Sequence, residues 1–157
     1  MIVWRERPRS LAHFLNPALL ALVIASSAHG YESSRRDRMP WTLVFITSPL
    51  VMHGSSRRAL PHDTRTHLST WIARNPAVKA GFAGRARSLV PVTLEGLRFG
   101  IRSGLLSVEG DALKTSSSIP AATGQLAELI RSAALVGRWL AKVDQASTAF
   151  ALFGVSP

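Results

Sequence analysis

Apolar residues along the chain gather into runs separated by short polar, arginine-bearing stretches. Every residue from Ala18 to Ala25 is apolar. Asn16-Pro17 ahead of that run reads as an N-cap followed by a first-turn proline, and Gly30 as a stop. A buried helix is therefore predicted over Asn16 to His29. Tyr31 to Met39 reads as a polar loop carrying Arg35, Arg36 and Arg38. Trp41 to Met52 is apolar and ambiguous. Val44, Phe45, Ile46 and the threonines favour a strand, whereas length and context allow a helix. His53 to Asp63 reads as a loop.

Three short helices are predicted next. The first runs from Asp63 or Thr64 to Asn75, with Leu68, Trp71 and Ile72 on one face. The second opens at Asn75-Pro76, carries Val78, Phe82 and Leu89, and stops before Pro91. The third is capped by Thr93, runs to about Ser103 and ends at Gly104. Leu106 and Val108 then alternate, Glu109-Gly110-Asp111 can turn the chain, and Leu113 returns, which predicts a small hairpin over Leu105 to Thr115. Three helices and a hairpin are the order of a winged helix. A long helix over Ala121 to Lys142 and a short helix or turn before Pro157 complete the chain. The length suits one domain. The expected fold is mainly α: a compact helical domain over 1–157, with an N-terminal helical part (1–53), a winged-helix-like segment (63–115) and a C-terminal helical part (119–157).

Two helix faces attract attention. In the long C-terminal helix, Leu126, Leu129, Ile130, Ala133, Gly137 and Leu140 form an inward stripe, with Glu128, Arg131, Arg138 and Lys142 opposite. Leu135 and Trp139 also lie on that outer side, one turn apart. Trp ringed by Arg is a common make-up for the centre of a protein interface. Leu135, Trp139, Arg131, Arg138 and Lys142 are thus the candidate partner-binding residues, unless the apolar tail Phe150 to Phe153 folds over them. In the third helix Gly96, Gly100 and Gly104 form a GxxxGxxxG line, with Gly100 and Gly104 placed inward beside Leu97 and Ile101 and Gly96 at the margin of that face. Arg98 and Arg102 in the same segment exclude a lipid setting, so the line predicts close packing on another helix. Arg98 and Arg102 point outward with Phe99 on their flank. They are the candidate DNA-binding residues, as phosphate contacts.

Charge sharpens this picture. The net charge is +10, and sixteen of the nineteen basic residues are Arg. Such a surplus attracts polyanions, whether nucleic acid, an acidic protein face or an anionic membrane, and Arg suits planar paired contacts. An even scatter of Arg over the surface is the plainer alternative. Cysteine is absent, which excludes disulfides and thiolate metal sites. Arg5, Arg7 and Arg9 ahead of an apolar run ending Ser26-Ser27-Ala28 resemble a secretion signal, but His13, Asn16 and Pro17 interrupt it. No run is long enough to span a bilayer. A cytoplasmic protein without a membrane partner is expected.

Candidate chemistry is sparse. His62-Asp63, with His53 upstream and Asp111 or Asp144 downstream, invites comparison with metal-dependent phosphohydrolases, which need imidazoles and carboxylates converging on a metal. Pro61 precedes the pair and capping signals follow it, so Asp63 reads as a helix cap. Phosphate-binding loops, nucleophile elbows and HExxH are absent from the sequence. No catalytic residue, cofactor, metal or small-molecule substrate is expected, and the chain reads as a non-enzyme.

Three stretches carry a family resemblance: LPHDTRTHLSTWIARNP (Leu60 to Pro76), LVGRWLAK (Leu135 to Lys142) and the terminal FALFGVSP (Phe150 to Pro157). With NPALLALVIASSAHGYE near the start, they resemble the middle component of three-component ABC-ATPase conflict systems of bacteria and archaea, the Lamassu-like defence group. Related sequences tend to carry Ala at the places of Gly96 and Gly100 and Arg at that of Ser156. The resemblance implies a partner ATPase related to chromosome-maintenance ATPases and an effector subunit, often a nuclease. It implies an adaptor role between them, acting against phage or plasmid DNA. The alternative is a free-standing winged-helix DNA-binding regulator.

Overall fold

The computed structural model describes residues 15–116 and 118–156. The basic stretch with Arg5, Arg7 and Arg9 lies outside them. Among the described residues, seven α-helices, a 3-10 turn and a three-stranded antiparallel sheet form a mainly α domain.

Helix α1 (Pro17–Arg35) opens as its sequence dictates. The Asn16 side chain accepts from the Ala18 amide at 2.8 Å, with Pro17 in the first turn. The helix does not stop at Gly30. It continues to Arg35 and ends on Arg36 in the left-handed conformation (φ 58°). Gly30 has another task, because a Cβ there would collide with the Ala134 backbone of a crossing helix. Ser26, Ser27 and Ala28 are buried inside α1, so a cut at that place would remove a core helix.

Strand β1 (Met39–Pro40) leads through a 3-10 turn (Trp41–Leu43) into α2 (Val44–Met52). The ambiguous segment is therefore helical despite its β-branched residues. Both its sides are covered, with Val44, Ile46, Leu50 and Val51 fully buried, and burial overrides a weak local preference. Within the expected 53–63 loop, a single helical stretch forms, α3 (Gly54–Arg58).

Helix α4 (Leu68–Arg74) starts later than expected. Its cap is His67, whose side chain accepts from the Ser69 amide, and not Asp63. Asp63 instead accepts from the Arg65 amide at 2.8 Å and so fixes a turn. The next two expected helices are one. Helix α5 (Pro76–Arg102) runs for 27 residues straight through Pro91. Proline deprives the carbonyl of residue 87 of its partner. Arg87 and Pro91 are both exposed, so the break in the ladder lies on the solvent side of the helix. Thr93 is buried in mid-helix and caps nothing. The three-helix reading of 63–115 is therefore corrected to two helices, α4 and α5, ahead of the hairpin.

That hairpin is present as β2 (Leu106–Glu109) and β3 (Ala112–Thr115), with Val108 opposite Leu113. Strand β1 adds to its other side, Met39 opposite Leu113, giving the order β1-β3-β2. Helix α6 (Gly124–Leu140) and short α7 (Ala146–Leu152) follow.

Helix α1 is the axis of the domain, packed most extensively on α6 and then on α5. Glycines make both crossings close. Gly30 of α1 meets the Ala134 backbone, and Gly137 of α6 meets the Ser27 backbone. Gly96 of α5, expected at the margin, faces Leu20, and Gly100 faces Leu106 and Ala21. Gly104 does not join them: it lies past the helix end at φ +75°, and Ile101 beside it is exposed. Among the described residues, no helix is long and apolar enough to cross a membrane.

Candidate partner interface

The patch expected on α6 is covered by the protein itself. Trp139 is 1% exposed and Leu135 is 9% exposed. The cover is not the Phe150 to Phe153 tail but the segment running from Ala59 into α4. Trp71 of α4 packs edge to face on Trp139, and the Trp139 indole donates to the Thr66 carbonyl at 2.7 Å. The Trp71 indole donates to the Ala59 carbonyl at 2.8 Å. Lys142 donates to the Thr64 carbonyl at 2.7 Å. Trp139 and Lys142 therefore fasten an irregular segment onto α6, and Trp139 is core. The expectation of an exposed Leu135–Trp139 patch is corrected accordingly.

The apolar tail is used elsewhere, with Phe153 stacked on Phe82 at 4.3 Å. The expected inward stripe of α6 is also redistributed. Leu126, Leu129 and Ile130 are half-buried, whereas the last two turns are enclosed on nearly all sides.

Arg131 and Arg138 remain exposed on α6. With buried Leu135 between them they line a concavity of about 390 Å³. Its other wall is built by Arg57 at the end of α3 and by Leu60, Pro61 and His62. Arg57 is well held there. Its guanidinium donates to the Val51 carbonyl at 2.6 Å, and its Nε lies 3.5 Å from Glu128. Arg57 escaped the sequence reading because it belongs to the site only once α3 docks beside α6. No local pattern signals that contact.

The His-Asp pair does not build a metal centre. No group of three or more His, Cys, Asp or Glu side chains able to hold a metal is present among the described residues. His53 caps α3, its Nδ1 accepting from the Ser56 amide at 3.3 Å. Partial burial holds its pKa below the usual histidine range, helped by Arg85, Arg58 and Arg57. Asp111 sits in the hairpin turn and uses its carbonyl for the Trp41 amide. The Asp144 carbonyl accepts from Arg35.

Arg98 and Arg102 are exposed on the last two turns of α5. Glu109 of the adjoining hairpin pairs with Arg38 and lies 3.5 Å from Lys114.

Two of the stretches singled out in the sequence are thus joined. Leu60 to Pro76 wraps the Leu135 to Lys142 turn of α6, joined by two tryptophans and a lysine. Comparison with known families matches residues 4–157 to middle component 3 of ABC-three component systems. The chain belongs to this family. Neither curated proteins nor solved structures give a match. A member of this family is one component of a multi-subunit system, so surfaces that stay open after folding are of first interest. Two such surfaces among the described residues are the arginine-rimmed concavity and the outer face of α5.

Proposed function

We propose that the chain is the non-catalytic adaptor of its three-component system. It connects an ABC ATPase related to chromosome-maintenance enzymes with an effector, such as a nuclease, encoded in the same operon. The assembly acts in the prokaryotic cytoplasm against phage or plasmid DNA, as in the Lamassu-like group. The family match over 4–157 carries this reading. The spread of its chemistry-bearing residues supports it. His53 and His67 serve as helix caps, Asp63 fixes a turn, and each is accounted for by local structure.

The test is co-expression of the chain with the two other subunits of its operon, purified through a tag on the ATPase subunit. The expected result is a ternary complex that fails to form when the chain is omitted. ATPase and effector joining equally well without it would overturn the reading. So would metal-dependent hydrolysis by the isolated chain that His62→Ala abolishes.

A second reading, direct contact with DNA inside the complex, is favoured by one observation. Strand β1 lies between α1 and α2, the hairpin directly follows α5, and the sheet order is β1-β3-β2. This is the connectivity of a winged helix whose three helices are α1, α2 and α5, with α3 and α4 inserted. In that frame the outer face of α5, with Arg98 and Arg102, takes the recognition position.

A further inference from the structure

The concavity between α3, the Leu60–His62 segment and α6 has an unusual make-up. Its rim holds three guanidiniums, Arg57, Arg131 and Arg138, together with the His62 imidazole. One carboxylate, Glu128, stands against them, and it lies beside Arg57. Arg131 and Arg138 make no ion pair with any described residue. They are seven residues apart on α6, which returns them to the same helix face roughly 10 Å apart along the axis. Leu135 lies between them, and Leu60 and Pro61 close the apolar floor.

From this arrangement we infer that the concavity docks an acidic, partly apolar segment of a partner subunit. Its carboxylates pair with Arg131 and Arg138, and an apolar side chain between them rests on Leu135 and Leu60. Guanidinium is matched to carboxylate by its planar fork, which gives two parallel hydrogen bonds per pair. An apolar floor between the cations favours a peptide over a nucleic-acid backbone, which would present phosphates and sugars to Leu135. Glu128 at the edge repels a continuous phosphate chain but tolerates a segment with spaced carboxylates. An extended segment covers the two arginines with about three residues and a helical one with about two turns. The Trp71 and Trp139 indoles donate to the Ala59 and Thr66 carbonyls, on either side of the Leu60–His62 wall, and so tie that segment down. The chain's own charge of +10 draws an acidic partner in over longer range.

This inference rests on the adaptor reading, and its test separates the two. The chain is co-expressed with both other subunits of its operon in three forms: wild type, Arg131→Glu with Arg138→Glu, and Arg131→Lys with Arg138→Lys. Assembly is measured by pull-down and titration at low and high salt, and folding by thermal melts. Wild type should assemble, more weakly at high salt. The double Glu variant should melt like wild type, because both side chains are exposed, yet lose roughly 100-fold in affinity. The double Lys variant should fall between, having kept charge without the fork. A double Glu variant that assembles as well as wild type overturns the docking site and leaves the adaptor reading intact. Wild type that binds neither subunit overturns both. A double Glu variant that keeps its partners but loses binding to a short random-sequence duplex DNA assigns the concavity to nucleic acid and overturns the acidic segment.

Discussion

Trp71 and Trp139 meet edge to face with ring centroids 5.0 Å apart and planes at 73°. Each indole also donates to a backbone carbonyl of the segment between α3 and α4, Trp71 to Ala59 and Trp139 to Thr66. Two large side chains thereby supply apolar area and satisfy their own N–H groups while ordering an irregular stretch of backbone. A helix face that reads as open in sequence is sealed by a distant stretch of the chain, with 73 positions between Thr66 and Trp139.

Trp139→Ala should therefore be a folding defect. Removing a nearly fully buried indole costs about 3–5 kcal/mol, and the Thr66 carbonyl loses its donor. Urea or thermal denaturation of the isolated chain measures it. Trp139→Phe keeps much of the volume but not the N–H, and should cost less. A Trp139→Ala chain as stable as wild type, yet failing to assemble, would instead make Trp139 a partner contact.

The α1–α6 crossing gives a prediction of opposite sign to helix propensity. Ala is preferred over Gly within a helix by about 1 kcal/mol. At Gly137, though, a Cβ would run into the Ser27 backbone, and at Gly30 into that of Ala134. Backbone cannot swing aside as a side chain can, so Gly137→Ala and Gly30→Ala should each destabilise by roughly 2 kcal/mol. Gly84 on α5 is the control. A Cβ there meets no atom within 4 Å, and Gly84→Ala should stabilise by about 0.5–1 kcal/mol. Denaturation curves of the three variants decide whether the crossing is as tight as its geometry states.

Much of the fold is legible locally and the errors share one cause. The Asn16 cap, the 106–115 hairpin, the Gly96–Gly100 packing line and the two C-terminal helices all follow from short-range patterns. Gly30 and Pro91 carry the local signals of helix breaks, yet both lie inside helices. At Gly30 the missing side chain serves a helix crossing. At Pro91 the lost hydrogen bond faces water and costs less than the continued packing of α5 on α1 provides. The Trp41 to Met52 segment could not be decided because both its sides are buried, which erases the periodicity that separates helix from strand. The concavity was half visible: Arg131 and Arg138 follow from the α6 pattern, while Arg57 and the covering of Trp139 depend on tertiary contacts.

His53 sets a pH dependence. Its Nδ1 accepts from the Ser56 amide, so the cap needs the neutral ring. Burial first, then Arg85, Arg58 and Arg57, hold its folded pKa below the ordinary 6.5. The unfolded chain therefore takes up the proton first. The His53 contribution is fully present above 6.5 and is lost as pH falls from there through the folded value. His53→Asn, which caps without titrating, should show a flatter fall in melting temperature between neutral and mildly acidic pH. Parallel pH profiles for the two proteins would reject the assignment.

Arg35 ties the end of α1 to the end of α6. Its guanidinium donates to the Val143 carbonyl at 3.0 Å and to Ala141 at 3.3 Å. Those carbonyls follow the last turn of α6, where helix groups lack partners and a cation is favoured. Arg35→Ala should cost about 1 kcal/mol, and Arg35→Lys should recover part of it, since one nitrogen, Nη1, serves both carbonyls and only the Nη2 contact to the Asp144 carbonyl is lost. Chemical denaturation at moderate salt checks both.

The winged-helix reading of α1, α2 and α5 makes the outer face of α5 testable without knowing a target sequence. Arg98 and Arg102 are one turn apart and exposed, so their loss should leave the melt unchanged. If they hold phosphates, Arg98→Ala with Arg102→Ala should weaken binding to any duplex and lower the salt slope by about 2. The hairpin supplies a control that acts in the other direction. Glu109 holds both Arg38 and Lys114, which offsets part of their positive charge. Glu109→Gln frees them, and where the hairpin lies along DNA this variant should bind more tightly and with a steeper salt dependence. A double Arg variant with unchanged affinity, together with a Glu109→Gln variant equally unchanged, would remove this face from DNA contact and leave protein partners as the sole use of the surface.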